Sequence, residues 1–295
     1  MSFFEWVRLH YNQLMEKILL HAFCASAYMA LALHFWNSRW RVVRLAAHPA
    51  ASSGTGLSGR EQAATLVVVA LHAYVLFGDM LGDSQFRFGF AHALSVMALL
   101  ALVFYGIESF FYPLEGMLAL VLPPAALCTF MPALFEGALM TGKVAAPAFV
   151  AHVVIAMGAY AFIAIAAAHA ILMAVVERRL HAPGRRAAAS SGLPPLLTME
   201  RLLFRMLAAG FVLLTLTLVS GAIFSEEIFG RALRFDHKSV FSLLAWLIFA
   251  VLLLGRHAYG WRGRAALNGT LAGFGMLLLA YIGTRFVLEV VLGRI

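Results

Sequence analysis

Eleven histidines stand in a chain that is 63% hydrophobic and only 12% charged. At membrane depth an ionisable side chain is costly, so each one raises the question of ligation, proton exchange or a bond between helices. Four of the eleven sit where ligation is the chemistry to ask about. His72 lies well inside an apolar stretch, His92 and His152 each lie about one turn inside the end of one, and His237 stands in Arg234-Phe235-Asp236-His237-Lys238 between two of them. Imidazoles that converge near one leaflet can hold an iron porphyrin through axial ring nitrogens. The same four residues can equally bond neighbouring helices, and order along the chain does not separate the two.

The remaining histidines read more plainly. His10, His48, His181 and His257 lie in or beside polar connections and are expected to be solvated, whereas His34 and His169 lie near helix ends and suit structural hydrogen bonds. For His21, packing and ligation stay open. Asp79 and Asp83 are expected to pair with Arg87 at the outer rim. Cys24 and Cys128 are lone residues in apolar stretches, with no Cys-x-x-Cys for redox exchange and no Cys-x-x-Cys-His for covalent haem attachment. There is no His-Glu-x-x-His, phosphate-cradling glycine loop or Gly-x-Ser-x-Gly. Trp261-Arg262-Gly263-Arg264 reads as an interfacial anchor.

The elements that must position these residues are transmembrane helices. Mean hydropathy is +0.88, and a span takes about 20 apolar residues. Eight stretches qualify: Ile18–Trp36, Thr65–Leu81, Phe88–Tyr105, Leu114–Met131, Ala148–Val176, Leu203–Phe224, Ser239–Leu254 and Leu267–Val291. Pro123 and Pro124 should kink the fourth. The predicted fold is an all-α, polytopic transmembrane helix bundle of about eight spans. Residues 1–17 read as an interfacial N-terminal segment, because Phe3, Val7, Tyr11, Leu14 and Ile18 share one helix face; residues 18–295 read as one transmembrane helical domain. Twelve of the 22 Lys and Arg residues fall on the side of the connections at 37–62, 177–201 and 255–264, with few acids among them. That side is expected to be cytoplasmic, which turns both termini outward. The net charge of +8 is accounted for by these loops, and nucleic-acid binding is excluded as a reading.

Several stretches resemble a known family. They are Pro194-Pro195-Leu196-Leu197-Thr198-Met199-Glu200-Arg201, Leu213-Leu214-Thr215-Leu216-Thr217, Asp236-His237-Lys238-Ser239 with Val240 through Trp246, Gly260-Trp261-Arg262-Gly263-Arg264, and Tyr281-Ile282-Gly283. Together they resemble the cytochrome c assembly family, in particular its short inner-membrane YpjD/HemX-like branch. The resemblance implies a polytopic, haem-handling protein. Synthetase members of the family offer haem to apocytochrome c on a tryptophan-rich outer loop flanked by two ligating histidines. His152, followed by Gly158-Ala159-Tyr160, matches the first of those histidines, and His72 falls where the family has one in an early span. The loop Ser225 to Lys238 contains no tryptophan, and the second outer histidine would fall near Leu292. Phe235-Asp236-His237-Lys238 stands where that motif ends.

The resulting expectation is a haem-binding protein of the bacterial inner membrane, with an accessory or regulatory role in cytochrome c biogenesis or haem homeostasis. Haem b would be held non-covalently, with His152 as one iron ligand and His72, His237 or His92 completing the site. Its partners would be the lipid bilayer, haem, and cytochrome biogenesis or haem-synthesis proteins. It is not expected to be an enzyme that forms thioether bonds. The alternative is a cofactor-free membrane subunit that stabilises a partner protein or transporter.

Overall fold

A computed structural model describes residues 3–41, 57–81, 86–139, 147–180, 195–229 and 237–293. Among them, eight helices are long and apolar enough to cross a membrane. They are α1 (Phe3–Phe35), α2 (Gly59–Met80), α3 (Phe90–Ser109), α4 (Glu115–Leu134), α5 (Pro147–Leu180), α6 (Leu196–Phe229), α7 (His237–Tyr259) and α8 (Arg264–Leu278, continued by wide π turns to Val291). The all-α bundle of eight spans expected from hydropathy is therefore the fold. Eight crossings put both ends of the chain on one face, called here the termini face. The other face carries the end of α1 with the start of α2, and the end of α5 with the start of α6.

Helix boundaries run past the apolar stretches wherever polar residues find partners. At the start of α2, Ser58 accepts from the Glu61 amide while the Glu61 carboxylate accepts from the Ser58 amide at 2.8 Å. This reciprocal cap satisfies two orphan donors of the first turn. Glu61 also binds Arg39 and His34, each at 3.0 Å, which ties the end of α1 to the start of α2. α4 continues through Pro123, Pro124 and Pro132, each of which removes a backbone donor. Side chains from its neighbours pin this helix. The Trp40 indole donates to the Gly116 carbonyl at 2.9 Å, the Tyr105 hydroxyl to Leu114 at 3.2 Å, and His21 to Thr129 at 2.7 Å.

Two helices make the centre. Of the spans of α3 and α5, 61% is buried, against 22% for α7. They meet through Phe104 and Phe162, stacked at 4.0 Å. One core, built on Tyr28, Phe35, Leu118 and Leu122, joins α1 to α4 with the flank of α5. The other, built on Leu76, Ile163, Leu203 and Phe249, joins α3 to α5 and α6–α8. In lipid, helices associate by close packing and hydrogen bonds rather than by hydrophobic exclusion. α6 comes so close to α5 at Gly210 that a Cβ there would lie 2.7 Å from Ile163.

At the opposite face, Glu200 (α6) holds Arg256 (α7) at 2.5 Å and Arg262 at 3.7 Å. Arg256 also lies over the Phe204 ring and donates to the Trp261 carbonyl. The Trp261 ring covers Gly255, where a Cβ would come within 2.4 Å of it. The turn into α8 then needs the positive φ of Gly260 and Gly263. On the termini face, Arg87–Phe88 and Ala138–Leu139 pair as a two-stranded antiparallel strap between the α2–α3 and α4–α5 connections.

Candidate functional site

The expected histidines fall into two environments. His72, with no solvent exposure, faces the interior of the first four helices. Its Nδ1 bonds the Tyr28 hydroxyl at 3.1 Å and its Nε2 bonds the Ser95 hydroxyl at 2.8 Å, with the Thr129 hydroxyl 3.2 Å from Nε2. Three helices, α1, α3 and α4, thus supply partners to one ring on α2. Both ring nitrogens are occupied by protein groups, so an iron ligated here would have to displace one of them.

His92 opens α3 and is equally buried. Its Nε2–H donates to Asp79 Oδ2 on α2 at 3.0 Å. Its Nδ1 faces the strap, where a Cβ on Gly137 would approach it to 2.8 Å. Asp79 is held on its other oxygen by Lys17 of α1 at 2.6 Å, so a carboxylate only 7% exposed carries two partners. The expected pairing of Asp79 with Arg87 is not the one formed. Arg87 approaches Glu136 across the strap at 3.7 Å, and Asp83 lies outside the described residues. His21 joins the same group: Nδ1–H donates to the Thr129 carbonyl, and Nε2 lies 3.8 Å from Asp79 Oδ2. Lys17, His21, Tyr28, His72, Asp79, His92, Ser95 and Thr129 therefore form one buried polar group running inward from the termini face.

His152 is different. It lies in the second turn of α5, half-buried, with Nδ1 bonded to Ser220 Oγ of α6 at 2.8 Å. The Ser220 hydroxyl lies 2.7 Å from the Leu216 carbonyl and 3.2 Å from the Thr217 carbonyl of its own helix. With its hydrogen on either carbonyl, the oxygen accepts from His152 Nδ1–H and the imidazole lone pair falls on Nε2; with its hydrogen on Nδ1, the tautomer is the reverse. The first arrangement, with one nitrogen donating to a neighbouring group and the other carrying the lone pair, is what a metal-ligating histidine requires. Phe149 lies beside the ring with its centroid 6.1 Å away. His237 begins α7 at the same face and is exposed, and Lys238 beside it lies 5.4 Å over the Tyr281 ring. Leu292, where the resemblance would put a second outer histidine, is exposed on the same face.

The donor chemistry of His152 fits one axial position of an iron porphyrin. Among the described residues no group of three or more His, Cys, Asp and Glu gathers as a metal cluster. A haem site does not need one, since one or two imidazoles suffice. The histidines read as structural behave so: His34 binds Glu61, and His169 donates to Glu108 at 2.9 Å in a couple buried between α3 and α5. Cys24 and Cys128 are free thiols. His48, His181 and the residues 230–236 lie outside the described residues. The side chain of His10, and those from 224 to 229, are likewise not described.

The Cytochrome C assembly protein family matches residues 57–292. The chain belongs to that family. The inner membrane protein YpjD of Escherichia coli (strain K12) is 35% identical over 166 residues, 56% of this chain and 60% of YpjD. The cytochrome c biogenesis protein CcsA of Prochlorococcus marinus (strain NATL1A) is 36% identical over 87 residues, 30% of this chain and 28% of CcsA. CcsA of Gloeobacter violaceus is 33% identical over 92 residues, 31% and 27% of the two chains. The chain thus spans about 60% of the length of the YpjD relatives it matches. No solved structure matches it. Several residues that carried the family resemblance are joints of the second half. Met199 is fully buried and Glu200 forms the latch to α7. Thr215 Oγ1 accepts from the Trp246 indole at 2.9 Å, and Tyr281 lies under Lys238. Ser220, three residues beyond the quoted stretch, had no signal in the sequence beyond being a polar residue on an apolar helix.

Proposed function

We propose that this chain is a haem-handling, multi-pass protein of the bacterial inner membrane with an accessory or regulatory role in cytochrome c biogenesis or haem homeostasis. The observation that carries the reading is the His152–Ser220 pair, which orients the imidazole near the termini face through Nδ1. His152 Nε2 would hold the iron of haem b, and His237, on the same face, is the candidate for the second nitrogen. Bound haem supplies redox and ligand-exchange chemistry; the chain supplies the fixed imidazole, the Phe149 ring and an apolar helix surface. His72 and His92 then serve the architecture that keeps α3 and α5 in place.

Family membership, and the names of the YpjD and CcsA relatives, support the haem and biogenesis setting, the bacterial inner membrane and partners among haem-synthesis or biogenesis proteins. We place both termini outward. A reporter active only outside the cytoplasm, fused after Glu226, should be active, and one fused after Arg185 should be silent; the reverse pattern would turn His152 inward and remove the basis of the site. The absence of tryptophan between Ser225 and Lys238 supports a non-catalytic role. Expression in a strain lacking its cytochrome c synthetase should therefore leave covalent haem staining absent, and full rescue would overturn the accessory reading.

The engagement of both His72 nitrogens and of His92 with protein groups favours one other reading, a cofactor-free subunit that stabilises a partner. A visible absorption spectrum of the detergent-purified protein separates them: a Soret band supports haem handling, and a colourless protein together with an unchanged haem pool in the deletion strain supports the subunit.

A further inference from the structure

We infer that Asp79 lies in a buried proton-binding site, in which Lys17 and His21 are alternative counter-ions for one carboxylate. The site stands on geometry and does not depend on haem. The Asp79 side chain, 7% exposed, sits where α1, α2 and α3 converge beneath the termini face. A carboxylate this enclosed is stable only with its charge compensated and its lone pairs bonded. His92 Nε2–H supplies one bond to Oδ2, and Lys17 supplies the positive charge at Oδ1. Lys17 is the most exposed member, at 21%, and its long stem lets the ammonium reach the headgroup region instead.

His21 is held differently. It is 1% exposed, and Nδ1–H is committed to the Thr129 carbonyl at 2.7 Å. Its Nε2 has no hydrogen-bond partner and points its lone pair toward Asp79 Oδ2, 3.8 Å away. Two electron-rich atoms facing each other in a low dielectric repel. A proton on Nε2 turns that repulsion into a charge-assisted contact. The empty position for a proton is therefore built between His21 and Asp79.

The charge balance defines the consequence. With Lys17 and Asp79 ionised and both imidazoles neutral, the cluster is neutral. Uptake of one proton from water at the termini face, onto His21 Nε2, leaves it at +1 with two cations beside one carboxylate. The like charge is relieved when Lys17 moves to the membrane surface and His21 takes over its role. No covalent bond other than N–H forms and none breaks. The groups facing the site are Lys17 on α1, Asp79 on α2, His92 on α3 and the uncharged Thr129 on α4; His72 lies beyond Thr129. Protonation would thus free the α1 lead-in from α2 and tighten His21 against α4.

Histidine-labelled protein in lipid nanodiscs, followed by nitrogen NMR as the pH is lowered from about 8 to 5, tests this. One imidazole signal, absent from His21→Gln, should pass from singly to doubly protonated. In Lys17→Met the same transition should move up by about one pH unit or more, because the competing cation is gone. Lys17→Arg should restore the wild-type midpoint. A His21 ring that stays singly protonated over that range, or a midpoint unmoved in Lys17→Met, would overturn the proposal. Lys17→Met keeps the test open even if Asp79 variants fail to fold, and neither outcome bears on whether His152 binds haem.

Discussion

His72 on α2 and His152 on α5 are both helix histidines in an apolar chain, yet their surroundings differ in kind. Around His72, hydroxyl groups from α1, α3 and α4 occupy both ring nitrogens, and no part of the residue reaches solvent. Around His152, the Ser220 hydroxyl of α6 bonds Nδ1, and the residue is half-buried at a membrane face. The same contrast separates the two halves of the bundle. The first four helices gather Lys17, His21, Asp79, His92, Ser95 and Thr129 into a shared interior. Away from the Glu200–Arg256 latch, the last four are joined by separate links, such as Trp246 to Thr215 and Tyr160 to the Leu277 carbonyl at 2.8 Å. His72, bonded through both nitrogens to three other helices, holds those helices together. His152 is oriented by Ser220 at the edge of the bundle.

Substitutions that break this contrast should differ most in stability. Asp79→Ala leaves Lys17 and His92 without their shared anion. Removing one partner of a buried pair costs about 3–5 kcal/mol, which unfolding in detergent by denaturant or heat would register. A loss under about 1 kcal/mol would show that the polar interior is not a structural centre. His72→Ala should cost about 2–3 kcal/mol, because the Tyr28 and Ser95 hydroxyls lose their partner inside the core. It should leave any haem bound per folded molecule unchanged. If it removes the haem instead, the two histidines have been assigned the wrong way round.

Away from the Glu200–Arg256 latch, the second half should respond to shape rather than to charge. Gly210→Val pushes a side chain into Ile163 across the α5–α6 contact, and overpacking of this kind costs about 1–3 kcal/mol. Ser220→Ala should be the mildest in stability, about 1 kcal/mol or less. Its effect belongs to ligation: loss of a group that orients a metal ligand weakens binding about 10–100-fold, measurable by haem titration of the apoprotein. Unchanged haem affinity in Ser220→Ala would remove the orientation argument for His152.

The number of helices was legible in the sequence because lipid demands about 20 apolar residues for each crossing. Their ends were less so. α2 starts at Gly59, six residues before the apolar stretch, because the Ser58–Glu61 cap and Arg39 make a polar first turn stable. Partners were the hardest to read. Arg87 is the nearest cation in sequence to Asp79, but Lys17, 62 residues before it, takes the position, since α1 and α2 run side by side and the strap carries Arg87 to Glu136. His72 could be singled out by depth, yet the hydroxyl groups that close its ring lie on three other helices. For His152, family likeness marked the residue, whereas the hydroxyl that orients its ring lies 68 positions away.

The central claim, that the half-buried histidine presents a ligand and the buried ones hold the bundle, is tested most directly by one set of spectra. Wild type, His152→Ala and His72→Ala are purified in detergent after equal haem supply, and visible absorption is compared per mole of folded protein. The account predicts a Soret band in wild type, its loss or displacement in His152→Ala, and the wild-type band in whatever fraction of His72→Ala folds. A band untouched in His152→Ala and absent from folded His72→Ala would contradict it.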